Sequence, residues 1–242
     1  MSQVRPHENK PSNLRQSNIE GRRQQILAAA RKLIAGGGMA ALSMRKLAKE
    51  AGLSVTTLYN LFGDREAILQ ALIEDSIDWM DRVLERDAPL DDPLERCRAV
   101  ITLSSRHMAE NEAVFRPMLI AAHQGLTPGA FKDGPISRRA SRMQAVAIEA
   151  AIEHGHLIQL LDPELLGRQI YHGFDLASAQ WAFGALDETG FRVRALYGLY
   201  VALLGVATKT GRPRIERELK KLEKELRSSQ RRDTERAMRG VQ

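Results

Sequence analysis

The sequence predicts an all-α protein with a small N-terminal domain of three helices and a larger C-terminal helical domain. Apolar residues recur every three or four positions along most of the chain, as on one face of a helix, and no strand-like alternation appears. With 242 residues and 43% hydrophobic content, the chain also exceeds what one three-helix domain needs. We expect an extension over 1–21, the small domain over 22–66, the larger domain over 67–208, and a basic, partly helical extension over 209–242.

The first 21 residues are polar and contain Pro6 and Pro11, which predicts a disordered segment. They lack the apolar region of a signal peptide, and no stretch of the chain approaches the roughly 18 apolar residues of a membrane span. We therefore expect no membrane contact and a cytoplasmic location. The first helix is expected from Arg22 to Ala35.

Residues 42–72, LSMRKLAKEAGLSVTTLYNLFGDREAILQAL, are the most informative stretch of the chain. Ser43 supplies an N-cap hydroxyl for a first short helix, and Gly52 permits a left-handed turn after it. Ser54 then caps a second short helix. Two short helices joined by a glycine turn are typical of the helix-turn-helix, which places its second helix in the major groove of DNA.

The second short helix presents small and hydrogen-bonding side chains suited to base edges. Hydroxyls and amides can pair with bases, and an aliphatic group can contact a thymine methyl. The expected readers are Val55, Thr56, Thr57, Tyr59 and Asn60, of which Val55 and Asn60 are favoured for base contact. Asp64 caps the next helix, so the backbone amides there and Arg65 could hold a phosphate. Arg22 and Arg23 could contact a phosphate or the minor groove.

The charge distribution separates the two domains. Residues 22–65 hold eight Lys or Arg and two acids, whereas residues 66–208 hold thirteen Lys or Arg and twenty acids. A basic head would attract phosphate and an acidic body would repel it. The plainer alternative, that residues 42–72 are ordinary amphipathic helices of a core, does not explain this segregation.

This segment resembles the N-terminal domain of the TetR family of transcriptional regulators over roughly Arg22 to Met80. The run AGLSVTTLYNLFGDREAIL carries the resemblance, because it has the family's usual residues at Gly52, Leu58, Tyr59, Phe62 and Glu66. The resemblance implies backbone and outer base contacts at Ser43 and Arg45, base readers at Val55, Thr56 and Thr57, a phosphate contact at Tyr59, and neighbouring contacts at Asn60 and Arg65. Leu61 and Gly63 depart from the polar or basic residues common there.

The larger domain shows capping signals at several helix starts, among them Asp92–Pro93 and Asp162–Pro163. A loop rich in Pro and Gly is expected over 126–135. The expected helices run from Asp64 to about Asp87, from Pro93 to about Ala109, from Asn111 or Glu112 to Gly125, from about Ile136 to Glu153, from Pro163 to about Phe183, and from Thr189 or Gly190 to about Thr208.

The last two of these helices carry small residues four positions apart, which let helix backbones approach closely. The resemblance implies that they pair with a second copy in a four-helix interface, and a palindromic operator read by two heads requires a dimer. Packing inside one protomer is the alternative. The expected interface residues are Gly173, Ala177, Trp181, Gly198, Leu199, Ala202 and Leu203.

The resemblance also implies a small-molecule pocket among the body helices. Methionine and aromatic side chains adapt to apolar ligands, and histidines could orient a polar end. Ordinary core packing is the alternative for each residue. The candidate lining is His107, Met108, Phe115, Met118, His123, Met143, His172 and Phe174.

Catalytic and metal-binding motifs are missing from the sequence. No phosphate-binding glycine loop, GxSxG or HExxH appears, and a single cysteine, Cys97, excludes an intrachain disulfide. His154 and His156 flank a glycine at a helix end, which favours capping over metal binding. We therefore expect no enzyme activity, catalytic residue, metal site or cofactor.

The segment 209–242 holds twelve Lys or Arg and six acids, and leucines recur at heptad-like spacing within it. We hypothesise that it adds electrostatic affinity for DNA, with an inert solvated helix as the alternative. The sequence as a whole predicts a homodimeric repressor on a palindromic operator of double-stranded DNA, released by a small apolar or amphipathic effector. An activator on the same fold, or a ligand-binding or scaffold protein without a specific operator, remains the alternative.

Overall fold

The computed structural model describes residues 10–88, 90–125 and 134–239, and these residues form ten α-helices. The all-α prediction is confirmed. The predicted loop 126–135 lies almost wholly outside the described residues. The helices are α1 (Lys10–Ala41), α2 (Met44–Ala51), α3 (Val55–Phe62), α4 (Arg65–Asp87), α5 (Pro93–Glu110), α6 (Glu112–His123), α7 (Pro135–Glu153), α8 (Pro163–Ala182), α9 (Glu188–Leu204) and α10 (Arg212–Arg239).

The chain divides into two compact units, Met1–Leu72 and Ile73–Gln242. The division falls inside α4, six residues beyond the boundary expected after residue 66. Ile68, Leu69 and Leu72 are all buried and belong to the first unit, so the first two turns of α4 are part of its core.

Helix α1 begins at Lys10, so residues 10–21 differ from the disorder expected there, while residues 1–9 lie outside the described part. Pro11 falls in the first turn of α1, where its missing N–H removes no helical hydrogen bond. The helix is interrupted at Gly37 and Gly38, and Gly38 adopts φ 61° and ψ −165°. Such a conformation is open almost only to glycine, which explains the Gly-rich corner before α2.

The capping signals of the second unit operate as predicted. Asp92 accepts the Glu95 backbone N–H at 3.1 Å, and Asp162 accepts that of Glu164 at 2.8 Å. Helix α9 starts earlier than expected, at Glu188, because the Asp187 carboxylate is its cap and accepts the Gly190 N–H at 2.7 Å. It also ends earlier, at Leu204.

The core of the second unit contains a close approach of α7 and α8 at Gly167. A Cβ on this residue would lie 3.0 Å from both the Ala145 nitrogen and the Ser141 carbonyl oxygen. Only glycine leaves room for the two backbones at this distance. The contact fixes the spacing of two helices that share a cavity described below.

The N-terminal part of α10 is part of this core. Ile215 and Leu222 on α10 are buried among residues of α5 and α9. Arg214, which stands in a stretch expected to be free for DNA, lies 2.7 Å from Asp92 and 3.6 Å from Glu95. Leucines at heptad-like spacing therefore pack against the chain's own body.

Candidate functional site

The turn between α2 and α3 has the geometry that the sequence predicted. Ser43 Oγ accepts the Lys46 N–H at 3.3 Å, and Ser54 Oγ accepts the Thr57 N–H at 3.1 Å. Gly52 adopts φ 63° between the two helices. The Leu53 N–H then donates to the Ala48 carbonyl at 2.9 Å, which fixes the change of direction. Each short helix thus starts at a serine cap and α2 ends at a glycine.

Helix α1 donates side-chain hydrogen bonds to the ends of both α2 and α3. Gln25 Nε2 donates to the Ala51 carbonyl at 2.7 Å at the end of α2. Arg23 Nη1 donates to the Leu61 carbonyl at 2.7 Å, and its guanidinium lies 4.2 Å above the Phe62 ring. Arg23 was predicted as a DNA contact, but these bonds give it a structural role at the end of α3. The neighbouring Arg22 is exposed, as that prediction requires.

The buried side of α3 and its outer side are cleanly divided. Leu58 is fully buried, whereas Tyr59 is 52% exposed and Thr56 and Asn60 are exposed. Val55 and Thr57 are half-buried, and the Thr57 hydroxyl lies 2.8 Å from Ser54 Oγ. Thr57 is therefore pre-oriented by the cap, and Thr56, Tyr59 and Asn60 form an open polar face.

Cations surround this face at both ends. Arg45, Lys46 and Lys49 are exposed on α2. Arg65 opens α4 and donates through Nη2 to the Met39 carbonyl at 2.7 Å, which positions the guanidinium and leaves its other N–H groups for a phosphate. The preceding Asp64 accepts the Ala67 N–H at 2.7 Å as the expected cap.

Gly63 has a role that the sequence did not reveal. It follows α3 with φ 88°, and its N–H donates to the Tyr59 carbonyl at 2.9 Å. A side chain would be strained in this left-handed conformation, so the departure from the family's usual residue is a requirement of the turn. Its position directly after a helix was the available signal.

Comparison with known proteins identifies the same segment. Residues 26–72 match the family model of bacterial regulatory proteins, tetR family. Residues 26–72 therefore form a domain of the TetR family. The domain is the family's helix-turn-helix DNA-binding domain.

Relatives and solved structures extend this likeness. The chain is 34% identical over 84 residues to the HTH-type transcriptional regulator HbdR of Aromatoleum sp. (strain CIB), a match that covers 34% of this chain and 37% of HbdR. A TetR-family regulator from Pectobacterium atrosepticum superposes with a TM-score of 0.60 at 26% identity, over 80% of this chain and 97% of that one. RolR in complex with the ligand resorcinol gives 0.61 at 19% identity, over 84% and 95% of the two chains. The fold likeness thus reaches well beyond the matched domain, while the sequence match to HbdR leaves most of that protein uncovered.

The second unit of this TetR-family chain contains an apolar cavity of about 130 Å³ between α4, α5, α6, α7 and α8. Five of the eight residues predicted to line a pocket do so. They are His107, Met108, Phe115, Met143 and Phe174.

The other three predicted lining residues lie elsewhere. Met118 is buried in a different part of the core, because it faces away from the cavity on α6. His123 ends α6 with its Nε2 atom 3.9 Å from Asp175 Oδ1, and His172 is exposed on the outer side of α8. The sequence predicts where the helices lie along the chain, but not which side of each helix faces the cavity.

His107 is held by aromatic neighbours. Its ring stacks on Trp79 at 4.2 Å between centroids and meets the Phe115 ring edge-on at 5.4 Å. The ring is thus a rigid part of the cavity wall.

Polar residues that the sequence did not suggest also line the cavity. Gln144 on α7 is 2% exposed, and within the described chain neither its Nε2 nor its Oε1 atom has a hydrogen-bond partner. A buried polar group left unpaired costs about 1–3 kcal/mol. Asp175 on α8 also reaches the cavity, and burial raises the pKa of its carboxyl, an effect that His123 and His172 only partly offset.

Four of the seven predicted interface residues face the protomer's own core. Ala177 and Trp181 on α8 and Leu199 and Leu203 on α9 are buried, and Trp181 stacks on Phe191 at 5.6 Å. Gly173 is exposed and Ala177 is buried, so these residues, one helical turn apart, lie on the two sides of the boundary between the core and the outer surface of α8. The burial of these four side chains within one protomer favours the alternative of packing inside the protomer.

The outer faces of α8 and α9 carry a different apolar set. Gly173 and Gly198 remain exposed with open space around them, and Ala202 is half-buried. Large exposed apolar side chains accompany them at Leu165, Leu176, Phe183 and Val201. We call these four side chains with Gly173 and Gly198 the outer face.

No metal or redox site is formed by the part of the chain that the structure describes. Among those residues no three His, Cys, Asp or Glu side chains cluster closely enough to hold a metal ion. Cys97 is fully buried, and burial raises the pKa of its thiol to about 12, so it stays protonated. None of the described helices combines the length and apolar character that a membrane crossing needs.

Proposed function

We propose that this TetR-family protein is a transcriptional repressor that binds a palindromic operator as a homodimer and leaves it when a small molecule enters the cavity. The observation that carries the proposal is the open polar face of α3, with exposed Thr56, Tyr59 and Asn60, between cations at Arg45 and Arg65. Cations on phosphates fix the register of such a helix, and the polar side chains read base edges.

The outer face supports the homodimer. Leu176 is 61% exposed and Leu165 62% exposed, and monomeric proteins seldom leave such side chains together on one surface. Gly173 and Gly198 lie on the same face and would let a second copy's helices approach closely. A two-fold dimer would then present two recognition helices to half-sites about 34 Å apart, one turn of DNA.

The cavity supports control by an effector because α4 forms part of its wall. Ile73, Ile77 and Met80 line it, and the same continuous helix carries Ile68 and Leu69 in the first unit. A molecule that binds better when α4 is displaced shifts the population away from the form that fits the operator. A coupling of about 1–3 kcal/mol would weaken operator binding roughly 5- to 150-fold.

Repression is favoured over activation by simplicity of mechanism. A protein that occupies an operator blocks polymerase without any further contact, whereas an activator needs a surface that recruits polymerase. The outer face would be covered by the partner copy in the proposed dimer and would then not be available to recruit polymerase.

The test is to recover fragments of the source genome with the purified protein, sequence them, and measure binding to the recovered sites at several salt concentrations. We expect a few sharp palindromic sites. Arg45→Ala should reduce the slope of log affinity against log salt by about 1.8, because the dimer loses one phosphate contact of about 0.9 from each protomer. Arg82→Ala removes an equal charge from an exposed position on the second unit and should leave the slope unchanged.

The outcomes separate the alternatives. Uniform recovery of fragments would indicate a nonspecific DNA binder, and no recovery would indicate a ligand-binding or scaffold protein. A reporter gene placed behind a recovered site then decides between repression and activation by the sign of its response.

A further inference from the structure

The second unit contains a buried amide side chain whose donor and acceptor atoms form no hydrogen bond with the rest of the described protein. Gln144 lies in the middle of α7, is 2% exposed, and lines the apolar cavity. Both of its amide atoms lack hydrogen-bond partners among the described residues. The adjacent Cys97 thiol is a weak partner, and no hydrogen bond of normal geometry joins the two. Buried amides are almost always paired in native proteins, so one without a protein partner at a cavity wall indicates a molecule bound there, either water or a ligand.

The size of the cavity limits the ligand. Its volume of about 130 Å³ is close to the roughly 150 Å³ of an apolar cavity that accommodates benzene. Ile101, Leu119, Ile170 and Phe174 supply flat or branched apolar walls suited to a ring. A long acyl chain or a fused ring system would exceed this volume and would have to extend outside the cavity.

The charge of the cavity limits it further. The described lining includes no Lys or Arg, and its acidic member is Asp175. An anion would therefore be buried without a cationic partner and beside a carboxyl group. A cation would lose its hydration to a wall that is mostly apolar, which is unfavourable even with one carboxylate nearby.

We infer that the effector of this protein is an uncharged molecule about the size of one six-membered ring, with a hydroxyl or amide group that donates to and accepts from the Gln144 side chain. This inference rests on the proposed function, in which a molecule bound in this cavity weakens operator binding and so acts as the effector. Gln144 offers one donor group and one acceptor, which match a hydroxyl or a primary amide. Filling both would satisfy a side chain that the described protein residues leave without a hydrogen-bond partner.

The experiment measures binding of single-ring probes to the full chain by calorimetry, without DNA. Phenol, benzyl alcohol and benzamide are the neutral polar probes, toluene is the apolar match, benzoate and benzylamine carry the two charges, and dodecanoate is the long-chain probe. We expect the neutral polar probes to bind about tenfold or more tightly than toluene, the value of hydrogen bonds to an otherwise unpaired group. Benzoate, benzylamine and dodecanoate should bind more weakly than the neutral polar probes.

The decisive variant is Gln144→Met, which keeps the shape of the side chain and removes both polar atoms. The variant should bind toluene as the wild type does and lose the preference for phenol, and its melting temperature without ligand should rise. Gln124→Met changes an exposed glutamine and should alter neither property. An unchanged preference for phenol in Gln144→Met, or tighter binding of a charged or long-chain probe by the wild type, would overturn the inference.

A second variant keeps the test decisive if Gln144→Met does not fold. Ala140 lines the same cavity, and Ala140→Leu would fill it. All ring probes should then lose binding, whereas retained binding would show that they bind elsewhere and would refute the assignment.

The experiments distinguish a failure of this inference from a failure of the proposed function. Gln144-dependent binding with no effect on operator affinity would support the ligand class and refute release by this cavity. Specific operator binding by a protein that takes up none of the neutral rings would refute the ligand class and leave the repressor intact.

Discussion

A methyl group at Gly211 tests whether the basic C-terminal segment is part of the body or a free arm. Its Cβ would lie 2.2 Å from the His156 carbonyl oxygen, far inside the roughly 3.5 Å at which nonbonded atoms meet favourably. The atom it meets is backbone, and that carbonyl also accepts the Thr208 N–H at 3.0 Å. Neither side can give way without moving the start of α10 by about 1 Å.

Two responses bracket the expected loss of stability. If α10 shifts while staying packed, the strain should cost about 1–3 kcal/mol, as for other overpacked sites. If α10 detaches, the burial of Ile215 and Leu222 is lost, at about 1.5–3 kcal/mol for each side chain. We therefore expect Gly211→Ala to lower the free energy of unfolding by about 1–6 kcal/mol.

The assay is urea unfolding followed by helical circular dichroism, at one fixed protein concentration because a dimer's stability depends on it. Gly205→Ala is the matched control. Gly205 adopts φ −64°, and the nearest atom to its Cβ would be the Ala202 carbonyl oxygen at 3.5 Å. This change should leave stability within about 1 kcal/mol of the wild type. If Gly211→Ala were as stable as the control, α10 would not be seated on the His156 turn, and the free DNA-binding arm would again be the better hypothesis.

Three further predictions concern the head, the anchor of α10 and the outer face. Arg23→Ala should lower the melting temperature of the free protein, because the Leu61 carbonyl and the Phe62 ring lose their partner; an unchanged melt with weaker DNA binding would restore the phosphate role. Burial alone would raise the pKa of Asp92, but hydrogen bonds from Arg214 and the Glu95 N–H outweigh burial and lower it. The ionised carboxylate therefore stabilises the fold at neutral pH, and this stabilisation is lost as the pH falls through the lowered pKa. Asp92→Asn should therefore reduce stability at neutral pH and flatten the loss below about pH 4, and parallel wild-type and variant curves would exclude this role. Leu176→Glu should sediment as a monomer, with Ile19→Glu as an exposed control that keeps the dimer, and a dimeric Leu176→Glu would exclude the outer face as the interface.

The sequence predicted best where structure depends on neighbours along the chain. Caps at Ser43, Ser54 and Asp92 and the left-handed turn at Gly52 are decided within three or four residues, and each is found as expected. The helix-turn-helix was therefore readable in detail. The start of α9 at Glu188 was missed by one or two residues only because Asp187, not Thr189, supplies the cap.

The sequence predicted less well where structure depends on how helices turn toward one another. Trp181 near the end of α8 and Phe183 directly after it are two residues apart and both aromatic, yet the first is buried against Phe191 and the second is exposed. Nothing in their identity separates them. Gln144 was missed for a related reason, because a glutamine on a helix normally faces water and only the packing around α7 encloses it.

The restraints on α4 are of the strength that ligand control requires. On the outside, Arg139 of α7 pairs with Asp78 and with Asp81, the latter at 3.0 Å, and all three side chains are roughly half exposed. Such exposed pairs contribute about 0–1 kcal/mol each. On the inside, the same helix borders a cavity rather than a filled core through Ile73, Ile77 and Met80. Weak exterior pairs and an incompletely packed interior allow the stretch of α4 from Ile73 to Met80 to be displaced by a ligand that gains about 1–3 kcal/mol in the displaced form, whereas the buried Arg96 anchors the end of the helix through Glu85 and the Ala88 carbonyl.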